Sequence, residues 1–504
     1  MIKHTNTKQV SINDFIQPFG GKLEKDNPWI KLALLMPWDE MASIYGKRLS
    51  KRMGRKSVDP RIAIGALIIK YMLKISDEDT IQFIKENPYL QYFLGYSQYS
   101  YEQPFTASLF VSIRSRLGEE QVKELGKIFM REVDLVNEKI DKMKAEKKSD
   151  QNIDEPPKNK GHLIVDATVA PSDVKFPTDV DLLNDAREKT EKLIDLLYVP
   201  EKGKVKPRTY RQNARKDYLA IAKQRKKRKS PLRKARRKQL GYVERNIKTI
   251  EKLLDEKGTK RFPLPYKYQK MYWVIQEVYR QQKRMHELKE NKIDGRIVSI
   301  SQPYIRPIVR GKAGKAVEFG AKLSISVVDG YSYLDKISWD NYNEGIDLIS
   351  QIESYKERFG FYPEFVGADD IYGNRANRKY MKECGIKYTG KALGRKPKGL
   401  TEEQKKQSVI KKKMAKKRSE VEGVFGLAKR KYGLGLVMTK RSDTSENWIG
   451  MVYLIMNITH LLRVIFCTNF RKANILLKSK FEKLISETIH IVFADFLNFS
   501  ILFK

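Results

Sequence analysis

A single strand-like run, separated from every other by a long helical stretch, sets the strongest limit on this fold. "HLIVDATVA", residues 162–170, is apolar and β-branched, the pattern of a buried strand, and Asp166 reads as its end. From residues 181 to 292 the periodicity is helical, from "LLNDAREKTEKLIDLLY" to "YWVIQEVYRQQKRMHELKE". Strands resume at "GRIVSI" and at "VEFGAKLSISVVDGYSYLDKISW", where Asp329-Gly330 between alternating runs predicts a hairpin turn. A buried strand needs ladder partners, so the first strand must pair with chain that arrives more than a hundred residues later. The sheet is therefore split by a helical insertion.

The rest of the chain divides around that sheet. Residues 1–143 read as helical throughout, with local start signals. Asp59-Pro60, Ser76 with Asp79 three residues on, and Asn87-Pro88 each predict a capped helix start, and Gly95 a stop. Short helices with interspersed Arg and Lys suit a helix-turn-helix type DNA-binding domain; a helical dimerisation or docking domain is the bland alternative. Residues 144–161 are charged, proline-bearing and aperiodic, a linker. The sheet-bearing domain is expected over 162–180 and 293–466, with a basic helical insertion at 181–292 and a tail of open role at 467–504.

Charge narrows the partners. The 504 residues carry a formal net charge of +39, which repels itself unless a polyanion is near, so nucleic acid is the expected partner and an anionic membrane surface its rival. The basic run Lys223–Lys238 is either a solvated helix face or a phosphate-tracking surface. Cys384 and Cys467 are the only cysteines, which excludes a disulfide framework or a multi-cysteine zinc site and fits a reducing cytosol. "WIGMVYLIMNITHLLRVIFC" (448–467) approaches membrane-spanning length, but Asn457, His460 and Arg463 favour a buried helix. No membrane partner is expected, and the location is cytoplasmic.

After the hairpin the order continues helix, strand ("EFVGADD"), helix ("RANRKYMKECG"), short strand ("IKYTG") and a final helix. An antiparallel meander followed by β-α-β-α is the order of a ribonuclease H-like α/β domain. Its carboxylates fall at strand ends: Asp166 on the first strand, and Asp369 and Asp370 after "PEFVGA", the edge where open α/β sheets place their sites. The last helix, "KKRSEVEGVFGLAKRKYG" (416–433), offers two glutamates. At about 100° per residue Arg418, Glu422 and Lys429 share one stripe, bordering Val421, Val424, Phe425 and Ala428, while Glu420 points to solvent. Arg418 and Glu422 could also be no more than a helical i,i+4 ion pair. Converging hard-oxygen ligands are what two-metal phosphodiester chemistry needs, with flanking cations to hold the phosphate backbone.

These residues resemble those of bacterial insertion-sequence DDE transposases, of the IS-four-like and IS-five-like kind. Arg418, Glu422 and Lys429 match R, E and K of the pattern Y-x2-R-x3-E-x6-K, with Ala415 in place of the tyrosine. "GADDIYGNRANRKYMKECGIKYTG" resembles the second-aspartate block, selecting Asp369 over its neighbour Asp370 and adding Tyr372. "HLIVDATVAPSDVKF" resembles the first, giving Asp166. The resemblance implies catalysis by Asp166, Asp369 and Glu422 holding two Mg²⁺ ions, with Mn²⁺ as a substitute. It also implies Arg418, Lys429 and Tyr372 at the DNA. The implied partners are double-stranded DNA, as terminal inverted repeats and as target, and a second copy of the chain in a synaptic homodimer. An inactive DNA-binding relative and a ribonuclease H-like nuclease without strand transfer are the competing classes.

Overall fold

A computed structural model describes residues 9–49, 57–145, 159–200, 205–226, 228–258, 261–312, 315–391 and 402–466. The expected tail at 467–504, with Cys467, and most of the expected linker lie outside these residues.

The N-terminal region is helical: α1 (Pro28–Leu35), α2 (Trp38–Gly46), α3 (Pro60–Leu73), α4 (Asp77–Glu86), α5 (Pro88–Phe93), α6 (Leu109–Arg116) and α7 (Glu119–Ala145). Its starts obey local chemistry. The Asp59, Ser76 and Asn87 side chains accept from the first-turn amides of α3, α4 and α5, and proline takes the first position of α3 and α5. Gly95 follows α5 at φ +89°, where a side chain would be strained.

Strand β1 (His162–Pro171) then leads into the insertion, whose described residues form α8 (Asp179–Leu197), α9 (Arg211–Ala222), α10 (Lys229–Lys257) and α11 (Tyr266–Leu288). They bury a core of their own, including Leu183, Ile194, Val243, Ile250 and Ile275. "GRIVSI" is no strand. It runs without a ladder and buries Ile297 and Ile300 against these helices, an apolar alternation used for packing alone.

The chain returns as β2 (Arg306–Lys312), β3 (Lys315–Val328) and β4 (Tyr331–Ser338), then α12 (Leu348–Phe359), β5 (Phe365–Gly367), α13 (Arg375–Glu383) and β6 (Lys387–Tyr388). It closes with α14 (Glu402–Lys417), α15 (Ser419–Lys431) and α16 (Ser442–Phe466). Among the described residues the sheet has six strands, ordered β2-β3-β1-β5-β6, with β4 also on β3. Pairing is antiparallel among β2, β3, β4 and β1, and parallel from β1 through β5 to β6. The β3–β4 hairpin turns at Asp329-Gly330, φ +50° and +83°, as its residues predict. Gly320 faces Pro171 in the β1–β3 register, and a Cβ there would meet the Ala170 carbonyl oxygen at 2.0 Å. The long ladder through Asp166 therefore requires that glycine.

Two cores sandwich the sheet. Leu163, Val165, Val366 and Ala368 pack with α12 on one face. Ile164, Ala170, Leu323 and Ile325 pack on the other with α15, α16 and the N-terminal helices, in one continuous core. Helix α16 is long and apolar enough to cross a membrane; most of that stretch is buried here, from Ile449 to Leu461.

Candidate active site

The parallel pairing of β1 with β5 sets the two aspartates side by side. Its register is His162 with Phe365, Leu163 with Val366 and Ile164 with Gly367. Two residues further along each chain come Asp166 and Asp369. Side chains alternate along strands, so Asp166 shares the face of Ile164, the one covered by α15. Asp369 likewise opposes the face taken by Val366 and Ala368. The expectation that Asp166 ends its strand needs correcting. β1 continues to Pro171, because β3 supplies a ladder partner for every residue from Ile164 on, Ile325 for Asp166 itself. Asp369 does follow the end of its strand, in the turn after β5.

Helix α15 brings the third carboxylate. Val421, Val424 and Ala428 are buried on the sheet, which leaves Glu422 in the exposed first turn and Lys429 half-buried two turns later on the same stripe. Helices α14 and α15 meet at Arg418, whose backbone stays helical (φ −56°, ψ −27°), so the Arg-x3-Glu spacing still aligns the two side chains. The Arg418 guanidinium makes a close ion pair with the Asp369 carboxylate and lies 3.9 Å from Glu422. One cation thus ties together carboxylates 53 positions apart (422 − 369).

Burial pushes the Asp166 carboxyl up to about 6; the Ala167 amide and Arg418 oppose this, while the neighbouring charges of Asp369 and Glu344 add to it. Asp370 turns elsewhere: its carboxylate meets Lys391 Nζ at 2.8 Å, which holds its pKa below the ordinary range. Of the adjacent pair, Asp369 is the one that faces Arg418. Tyr372, expected at the DNA, is instead fully buried among Leu163, Ile352 and Met381. Its carbonyl accepts from Asn377 Nδ2 at 2.9 Å, so the side chain is tucked under the turn rather than presented on it. Among the described residues the Tyr372 hydroxyl has no hydrogen-bond partner, and burial with the nearby Asp166 and Glu344 charges pushes the phenol far above its usual value.

Glu344 was not foreseen from the sequence. It sits in a short 3₁₀ turn before α12, ion-paired to Lys322 of β3. Asn377 Nδ2 donates both to Gly345 O at 2.7 Å and to Tyr372 O, locking that turn onto the one after Asp369. In the sequence Glu344 reads as the polar start of a helix; the signal lies in the fold.

Among the described residues no three His, Cys, Asp or Glu side chains stand close enough to hold a metal ion as they are. The donor chemistry suits a hard divalent metal ion. The Asp369 and Glu344 charges are felt at Asp166, and the Arg418 guanidinium supplies positive charge beside Asp369.

Two families match parts of this chain. The Transposase domain (DUF772) model matches residues 17–116, which hold α1 to α6, and the Transposase DDE domain model matches residues 366–459, which hold Asp369, Arg418, Glu422 and Lys429. The Uncharacterized protein ORF8 in nfe locus of Rhizobium meliloti is 28% identical over 150 residues, 30% of this chain. The matched stretch spans 64% of that relative's length. No solved structure matches.

Proposed function

We propose, from the premise that these two domain matches indicate an insertion-sequence transposase with a DDE domain, that the chain cuts and joins the ends of its own mobile element. It binds the terminal inverted repeats, acts on double-stranded DNA in the cytoplasm, and works as a homodimer with one copy per end. The catalytic domain is ribonuclease H-like, formed by residues 162–180 and 293–466 around the insertion at 181–292, behind a DNA-binding domain at 1–143. The observation that carries this reading is the register that sets Asp166 beside Asp369 under the helix bearing Glu422. The strand order β4-β3-β1-β5-β6, antiparallel and then parallel, supports the domain reading.

Asp166, Asp369 and Glu422 would hold two Mg²⁺ ions, or Mn²⁺ in their place. Bound there, the ions activate the attacking oxygen and balance charge on the leaving one. Arg418 turns from Asp369 to a phosphate oxygen, for which its planar fork is suited. Lys429 stands about 16 Å further along the helix axis and holds a second phosphate of the same strand. Tyr372 and Asn377 keep the Asp369 turn in place from beneath. Water attacks the phosphorus at the element's end and releases a 3′-hydroxyl. That hydroxyl bonds to a target phosphorus and displaces the target's own 3′-oxygen, which leaves with the proton.

The test is Mg²⁺-dependent nicking of an inverted-repeat duplex, and strand transfer from a pre-cut end, by wild type, Asp166→Asn, Asp369→Asn and Glu422→Gln. Each variant should bind the duplex and lose both reactions. Nicking without transfer would mark a nuclease, and binding without nicking an inactive relative. Unaltered activity in all three variants would end the proposal.

A further inference from the structure

Residues 223–238 carry eleven Lys and Arg and no Asp or Glu. In the fold this run spans the elbow between α9 and α10 and the first three turns of α10. Among its described residues two cations meet carboxylates, Arg236 with Asp179 at 2.7 Å and Lys238 with Asp217 at 2.6 Å. Arg225, Lys226, Arg233, Lys234 and Arg237 are exposed.

Helix stability does not account for this arrangement. The first turn of α10 has no acidic residue, and cations at a helix N-terminus oppose the macrodipole, which favours anions there. Self-repulsion adds to the cost. The other half of α10 lacks this bias: Glu244, Glu251, Asp255 and Glu256 alternate with Lys248 and Lys252. The excess positive field is also felt on the neighbouring helix. Burial, then Arg233, Arg236 and Arg237, lower the pKa of His286 on α11.

The position of the patch names its partner. Arg236 anchors the start of α10 to Asp179, the first residue of α8, where the chain has just left the C-terminal end of β1. That is the same sheet edge toward which Asp166 and Asp369 lie. The five steps from Asp166 to Pro171 span about 17 Å, and α8, to which Arg236 ties α10, begins eight residues beyond that strand end.

We infer that the α9–α10 elbow is a second DNA-binding surface, which tracks the phosphates of the duplex beside the cut without reading its sequence. The inference rests on the proposed action on DNA, but it concerns a surface separate from the reacting groups.

The experiment measures affinity for a fluorescent inverted-repeat duplex against salt. Each neutralised phosphate contributes about −0.9 to the slope of log K against log salt. Replacing Arg225, Lys226, Arg233, Lys234 and Arg237 by Gln should make the slope shallower by about 3 to 4. Replacing Lys248, Lys252 and Lys257, on the mixed half of the same helix, should change it by less than about 1. Scrambling the duplex should leave the elbow's contribution unchanged. A five-fold variant, folded by circular dichroism, with the wild-type slope overturns the inference. So does a variant that loses affinity only for phosphatidylserine vesicles. Asp369→Asn separates the two levels: it should keep the full slope while losing cleavage. A wild-type protein without salt-dependent duplex binding would instead sink the functional proposal itself.

Discussion

Replacing Arg418 by methionine should strengthen metal binding to the free protein and at the same time impair DNA cleavage. The guanidinium holds Asp369 closely and Glu422 at 3.9 Å, the two carboxylates assigned to the metal ions. A cation entering that site must displace it. The Asp369 and Glu422 side chains are 53% and 66% exposed, so each pair is discounted for solvent to about 0.5–1 kcal/mol. Losing both removes about 1–2 kcal/mol of competition, or about a 5- to 30-fold gain in affinity. Methionine keeps most of the side chain's length and packing while removing its charge. The assay is Mn²⁺ titration by electron paramagnetic resonance on the DNA-free protein, with cleavage followed separately. Cleavage should fall because the same guanidinium is assigned to the scissile phosphate. Weaker or unchanged Mn²⁺ binding in Arg418→Met would refute the reasoning: Arg418 would then assemble the carboxylates rather than compete for them.

Three other outcomes follow from the same geometry. His162, buried on β1, has its imidazole pushed down to about 4 from 6.5 by burial and then by Lys417. The unfolded chain therefore binds more protons between these values, and stability rises with pH across that window. Integrated, this one group should make the protein about 2 kcal/mol less stable at pH 5 than at pH 7, and His162→Asn should abolish that share in denaturant titrations at the two pH values. Tyr372→Phe removes a buried hydroxyl that has no partner among the described residues, so duplex affinity should be unchanged and stability equal or up to about 1 kcal/mol higher; weaker duplex binding would return Tyr372 to the interface. Asp370→Asn should retain cleavage because its carboxylate is engaged by Lys391, whereas Asp369→Asn should lose it.

What the sequence makes legible is whatever is encoded within a few residues. The caps at Asp59, Ser76 and Asn87 and the turn at Asp329-Gly330 rest on one or two side chains bonding their own backbone, and each lies where its residue types put it. Elements decided by distant chain are less legible. "GRIVSI" has strand composition but no ladder partner, while Arg306–Lys312, interrupted by Pro307 and Gly311, pairs at the sheet edge with β3. Sheet membership depends on a neighbour that composition does not name. The same limit applies to the site. The family resemblance selects Asp166, Asp369 and Glu422 as the expected ligands, but the burial of Tyr372 and the nearness of Glu344 come from Asn377 clamping two turns together.

The three carboxylates also differ in how firmly the fold places them, and this follows from what holds each one. Asp166 is fixed by its β3 ladder partner Ile325, two residues past the end of the β5 pairing, and Asp369 by the turn that Asn377 clamps. Glu422 is held through the packing of Val421, Val424 and Ala428 beneath it and is itself exposed. A small roll of α15 on the sheet would move Glu422 while leaving the aspartates in place. Arg418 opposes that roll in the free protein, since it holds Asp369 from the same helix turn. Under the proposed function, a phosphate that drew Arg418 away would remove that restraint and free the helix to carry Glu422 toward Asp166. Substrate binding and completion of the proposed carboxylate site would then be one event, distinguishing a protein that cuts where DNA is correctly seated from one that loads metal first.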